Sequence, residues 1–141
     1  MARNPERVEY CLNSVGLWKS RDLLPHDLSG GMKQRLGIAR AIATDPEIIF
    51  YDDPTAGLDP VNSDAMAELI LDLKKRHNST LVIVTHDMLR AYQMAGRICI
   101  VLPQEVLMTG GVEETKNCTD SRIQQFIHGR LKGPLTAFLQ G

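Results

Sequence analysis

An α/β fold, a parallel sheet flanked by helices, is predicted by three observations in the sequence. Two short runs of consecutive apolar residues, Ile48-Ile49-Phe50-Tyr51 and Leu81-Val82-Ile83-Val84, have the length and composition of strands buried on both faces. Between them Met66, Leu69, Ile70 and Leu73 recur at helical spacing within 63–77, so strand, helix and strand form one right-handed crossover. Each run ends in polar residues, Asp52-Asp53 and Thr85-His86-Asp87, at the end of a parallel strand where α/β sheets gather their ligands.

The remaining elements follow in order. Val8, Cys11, Leu12 and Val15 lie on one face of a helix over 6–15 that Gly16 ends, and an irregular connector runs on through Pro25. After Ser29-Gly30-Gly31, residues 32–43 are good or tolerable helix formers, and Asp45-Pro46 stops them, so a glycine loop opens into a helix. Pro54 ends the first strand. Asp87 can cap a helix with Met88, Ala91, Tyr92 and Ala95 at core spacing, closed by Gly96. Residues 98–102 and 106–109, joined by a Pro103-Gln104 turn, are expected to pair antiparallel at a sheet edge. Beyond Gly110-Gly111 the chain is polar until Ser121, where Ile123, Phe126, Ile127 and Leu131 mark a last amphipathic helix before Gly133-Pro134.

Composition narrows the function classes. The 141 residues carry 16 Lys plus Arg against 17 Asp plus Glu, a net charge of −1, and suit one globular domain. So even a balance gives no basic field for a nucleic-acid backbone and no trap for acidic substrates. No apolar run reaches the roughly 20 residues that span a bilayer, and Met1-Ala2-Arg3-Asn4-Pro5 lacks a signal-peptide core, so a soluble cytoplasmic protein is expected. Cys11, Cys99 and Cys118 fit neither a disulfide framework nor a zinc site, and Cys11 and Cys99, among apolar neighbours, are expected to be buried thiols.

The chemistry is concentrated at the strand ends and the glycine loop. Two adjacent carboxylates after an apolar strand are costly to hold together unless a cation or proton separates their charges, and Mg²⁺, which takes oxygen ligands and reaches phosphates through one or two carboxylates, would serve. Gly30 and Gly31 let a ligand approach the backbone at a helix N-terminus whose free N–H groups favour phosphate. Singly, each feature has an ordinary structural explanation: a cap, a turn, a core histidine.

Together and in order they identify a family. Leu28-Ser29-Gly30-Gly31-Met32-Lys33-Gln34-Arg35, Ile38-Ala39-Arg40-Ala41, Ile48 to Thr55, Gly57-Leu58-Asp59-Pro60 and Val84-Thr85-His86-Asp87 resemble the nucleotide-binding domain of ABC transporters. The resemblance covers nearly the whole chain. It implies a P-loop-NTPase-like α/β fold, ATP and Mg²⁺ as ligands, and ATP hydrolysis. It also implies a second nucleotide-binding subunit and an integral membrane permease as partners, at the inner face of a membrane. Ser29, Gly30 and Gly31 resemble the signature motif that contacts the γ-phosphate of ATP held by the opposite subunit, and Gln34 is placed with them among the nucleotide-contacting residues. Asp52 resembles the Walker B aspartate that positions Mg²⁺, Asp53 stands where the family has its water-orienting glutamate, Asp59 resembles the D-loop aspartate at the dimer interface, and His86 the switch histidine.

The departures bear on activity. Met32 replaces a frequent Gln in the signature, and Asp53 is one methylene shorter than Glu, a misplacement of about 1 Å that can cost on the order of 100-fold in rate. G-x-x-x-x-G-K-[ST] does not occur in the 141 residues, so the chain is expected to start within the helical subdomain and not to bind ATP by itself in the family's P-loop site. The expected division is 1–45 as a helical segment with the signature, 46–111 as the core from Walker B to the switch histidine, and 112–141 as a C-terminal helix. Residues 122–129, followed by Gly133-Pro134-Leu135, resemble the end of ATPases of Mla-type lipid and toluene-tolerance transporters, which implies lipid transport with an MCE-domain partner. The alternative function is a non-catalytic module that pairs with, or regulates, an intact ABC ATPase subunit.

Overall fold

The structure is a computed structural model that describes residues 4–102 and 104–136. It divides into two compact units, residues 1–86 and 87–141.

In the first unit, helix α1 (Pro5–Ser14) is capped by the Asn4 side chain, which accepts from the Arg7 amide, and gives way at Gly16, whose φ of 71° suits a residue without a Cβ. Single 3₁₀ turns at Trp18–Ser20 and Pro25–Asp27 fill the connector. Helix α2 (Gly30–Ile42) begins earlier than expected: Ser29 Oγ accepts from the Met32 amide as N-cap, so Gly30 and Gly31 are the first residues of the helix and not a loop ahead of it. Strand β1 (Ile48–Asp52), helix α3 (Pro60–His77) and strand β2 (Thr80–Val84) then form the crossover, with β1 and β2 parallel and in register from Ile48 beside Thr80 to Asp52 beside Val84. Helix α3 also starts three residues before its apolar pattern suggests, because Asp59 caps it and Pro60 supplies a preset φ at N1.

The core of this unit joins Cys11 and Val15 of α1, Ile38 and Ile42 of α2, Ile49 and Tyr51 of β1, and Met66, Ile70 and Leu73 of α3. The expectation of strands buried on both faces is corrected here. Ile49 and Tyr51 are buried, but Phe50 is 74% exposed and Ile48, Val82 and Val84 are exposed with it. A continuous apolar run signals two covered faces; within the first unit the core is built on one face, by Ile49 and Tyr51 with Leu81 and Ile83 packed beside them.

In the second unit, Asp87 caps helix α4 (Met88–Met94) through the Leu89 and Arg90 amides. Strands β3 (Ile98–Leu102) and β4 (Glu105–Gly110) pair antiparallel. They form a two-stranded sheet of their own among the described residues, rather than an edge of the parallel sheet. Pro103 of the expected turn lies outside the described residues; Gln104 has φ 65°. The polar stretch after Gly111 contains a further helix, α5 (Val112–Lys116), too short to show periodicity, and α6 (Ser121–Ile127) follows. Ile98, Ile100, Leu102 and Ile123 form the core here. Leu131 lies beyond the end of α6 and is exposed, and Cys99 faces outward on β3, so neither takes the buried place expected of it.

Candidate active site

Strands β1 and β2 end side by side, which brings Asp52, Asp53, Thr85 and His86 to one edge of the parallel sheet. The Asp53 amide continues the ladder by donating to the Val84 carbonyl at 2.7 Å, and the backbone then turns into the left-handed region at φ 42°. That conformation costs a non-glycine residue on the order of 1–3 kcal/mol and persists only where its surroundings fix it. The fixing groups are on β2's exit: Thr85 Oγ1 donates to Asp53 Oδ1 at 3.0 Å, and His86 Nδ1 lies 2.7 Å from Asp53 Oδ2. The Asp53 side chain is 22% exposed and that of His86 81%. The pair therefore joins a held carboxylate to an imidazole that remains open to solvent, an arrangement suited to meeting a ligand.

Asp52 is the exposed last residue of β1. Among the described residues no three His, Cys, Asp or Glu side chains converge as a metal cage. A carboxylate is a hard oxygen donor of the kind Mg²⁺ takes.

At the start of α2 a Cβ on Gly30 would meet nothing within 4 Å, and one on Gly31 only Leu58 Cδ2 at 3.9 Å. Packing in the described chain does not demand glycine there. What the two glycines leave is bare backbone at the positive end of a helix, which an anion can approach closely.

Two of the candidate residues have local partners of their own. Gln34, placed with the nucleotide-contacting residues, turns inward: its Nε2 donates to the Ala56 carbonyl at 2.9 Å, and its Oε1 is buried without a hydrogen-bond partner among the described residues. It ties α2 to the loop that leaves Asp53. Asp59 accepts from the Val61 and Asn62 amides at 3.1 Å each, and the Asn62 side chain and amide hold its carboxyl below the ordinary carboxylate range. Its visible role is to start α3. Thr85, to which sequence reasoning gave no role, is the group that fixes Asp53; its place between an apolar run and a histidine was the available signal.

Comparison with known proteins is consistent with this geometry. The ABC transporter family profile matches residues 3–56. The methionine import ATP-binding protein MetN of Haemophilus ducreyi is 37% identical over 123 residues, which cover 86% of this chain and 36% of that protein. The intermembrane phospholipid transport system ATP-binding protein MlaF of Haemophilus influenzae is 37% identical over 124 residues, 88% of this chain and 47% of its own length. The chain is homologous to the ATP-binding proteins of ABC transporters and shares their fold. It spans less than half the length of these curated relatives. Among solved structures, cbiO1 of Clostridium perfringens, part of the ABC transporter complex cbiONQ, superposes with a TM-score of 0.74 at 27% identity over 90% of this chain and 50% of its own. A nucleotide-free ATP-binding cassette from an ABC transporter gives 0.77 at 25% identity, over 86% and 48% of the two chains. The ABC ATPase fold accounts for both the parallel crossover and the position of the strand-end carboxylates. No helix among the described residues is long and apolar enough to cross a membrane.

Proposed function

We propose that the chain supplies the signature, water-positioning and switch residues of an ATP-hydrolysing subunit that powers an ABC transporter. The observation that carries this is the Asp53 carboxylate, held by Thr85 and His86 at the end of β1 in a backbone conformation that costs energy to maintain. In phosphoryl transfer the protein's work is positioning and charge stabilisation. Asp53 would orient the attacking water and accept its hydrogen bond. His86, fixed through Nδ1, would present the rest of its ring to the γ-phosphate. Ser29, Gly30 and Gly31 would offer a hydroxyl and bare backbone to ATP held by a second nucleotide-binding subunit, with Asp59 and Gln34 supporting that interface by starting α3 and anchoring α2. Mg²⁺, held through Asp52 together with phosphate and water, would neutralise charge on the phosphates when bound.

The subunit would act with an integral permease at the cytoplasmic face of a membrane. For cargo, a phospholipid is favoured by the residues of 122–129 and by the similarity to MlaF, with an MCE-domain protein as a further partner. Methionine is the competing cargo, favoured by equal identity to MetN. The deciding experiment is ATP turnover by a full-length nucleotide-binding domain reconstituted around this chain, with and without Asp53→Asn. Abolished turnover with retained ATP binding supports the reading. Unchanged turnover removes Asp53 from the mechanism, and absence of turnover in the unmodified protein favours a non-catalytic module that regulates another ATPase subunit.

A further inference from the structure

A second polar cluster lies at the opposite end of α2 from Ser29. The Arg7 guanidinium of α1 donates from Nε to the Ala43 carbonyl at 3.1 Å and from Nη2 to the Ile42 carbonyl, capping the C-terminal end of α2. It also pairs with Asp45 at 3.3 Å and lies over the Tyr10 ring, 5.2 Å from its centre. His77, the last residue of α3, has a side chain only 5% exposed with both ring nitrogens engaged: Nδ1 with Asp45 Oδ1 at 2.9 Å and Nε2 with the Tyr10 hydroxyl at 3.2 Å. Four side chains from positions up to 70 apart in sequence thus join α1, the end of α2 and the end of α3 at one point.

None of these groups touches the strand-end site, and an exposed ion pair alone would not warrant such an assembly. Its position suggests what it does. Helix α2 has 13 residues, hence a length of about 20 Å at 1.5 Å per residue, with the cluster at one end and Ser29 at the other. A tilt of roughly 5° about the clustered end would carry Ser29 through about 1.7 Å. Displacements of about 1 Å at a reacting centre can cost on the order of 100-fold in rate. The front of α2 is held to the β1 exit loop by the Gln34 to Ala56 hydrogen bond alone among the polar side-chain contacts described for its exposed end beyond the Ser29 cap.

We propose that Arg7, Tyr10, Asp45 and His77 form a latch that sets the tilt of α2 against α3 and so places Ser29, with His77 as a positioning residue. The consequence for turnover rests on the reading of Ser29 as a phosphate contact; the latch itself does not. The test is amide hydrogen exchange on the intact protein carrying His77→Ala or the milder Tyr10→Phe, which removes only the hydroxyl. The expected result is exchange faster by about tenfold at the amides of 32–34 for His77→Ala, a smaller rise for Tyr10→Phe, and unchanged exchange at 49–52 of β1. Unchanged exchange at 32–34, or an equal rise throughout residues 4–86, overturns the latch. ATP turnover on the same variants separates the two ideas. A lowered kcat with KM for ATP retained, partly rescued by His77→Gln, supports both, whereas a selective exchange effect with unchanged kcat keeps the latch and overturns the reading of Ser29.

Discussion

Replacing His86 by Ala should separate function from stability. The ring is 81% exposed, so its removal uncovers little apolar surface, and among the described residues its side chain meets Asp53 at 2.7 Å. Pairs with one partner so open to solvent contribute about 0–1 kcal/mol. For 141 residues 1 kcal/mol corresponds to about 3 °C in Tm, so the expected loss is 3 °C or less. Thr85 still holds Asp53 Oδ1 in the variant, which keeps the left-handed turn in place. Turnover should fall by on the order of 100-fold or more, the cost of removing one group that meets developing charge, while ATP binding changes little. Thermal unfolding and steady-state ATPase assays on the same preparation of intact protein measure both. A Tm lowered by 10 °C would make His86 a structural residue, and a retained rate would remove it from the chemistry.

Other expectations rest on separate features. Asp53→Asn keeps a residue that tolerates the left-handed region, so the fold should survive while hydrolysis is lost, measured as ATP bound but not turned over. Tyr51→Phe should stabilise the protein by about 1 kcal/mol in urea titration, because the Tyr51 hydroxyl is buried with no hydrogen-bond partner among the described residues. Burial also raises the Tyr51 pKa above 10.0, so the unfolded chain ionises first and Tyr51 lowers stability as pH climbs from 10 through its folded value; Tyr51→Phe should flatten that alkaline loss in melts at pH 9 to 11. Arg122 holds the Asp120 carboxyl down to about 2, so this contact stabilises fully above pH 3.8 and is lost as pH falls through 2; Asp120→Asn should diminish the acid dependence of unfolding in that window.

The α/β class and the crossover were readable because α3 repeats its apolar residues at helical spacing and both strands are short apolar runs. The burial of β1 was not, since the composition of Ile48 and Phe50 reports what a face is suited to contact and not what covers it in the first unit. Helix α5 escaped because five residues give scarcely more than one turn and only Val112 is apolar. The order of the motifs grouped the candidate residues, but their mutual geometry was not evident in it. Nothing in the sequence says that Thr85 fixes Asp53, that Gln34 turns inward to Ala56, or that Asp59 serves α3 as its cap. The Arg7 and His77 cluster was invisible for the same reason, being assembled by packing across 70 positions.

The positive φ of Asp53 has an evolutionary consequence. From an aspartate codon, single-base changes reach Asn, Gly and His, which the left-handed region tolerates best, and Glu, Val, Ala and Tyr, which it strains more. The substitutions that best spare this turn are therefore ones that delete the carboxylate. Such variants would keep the turn while losing the group that Thr85 and His86 hold.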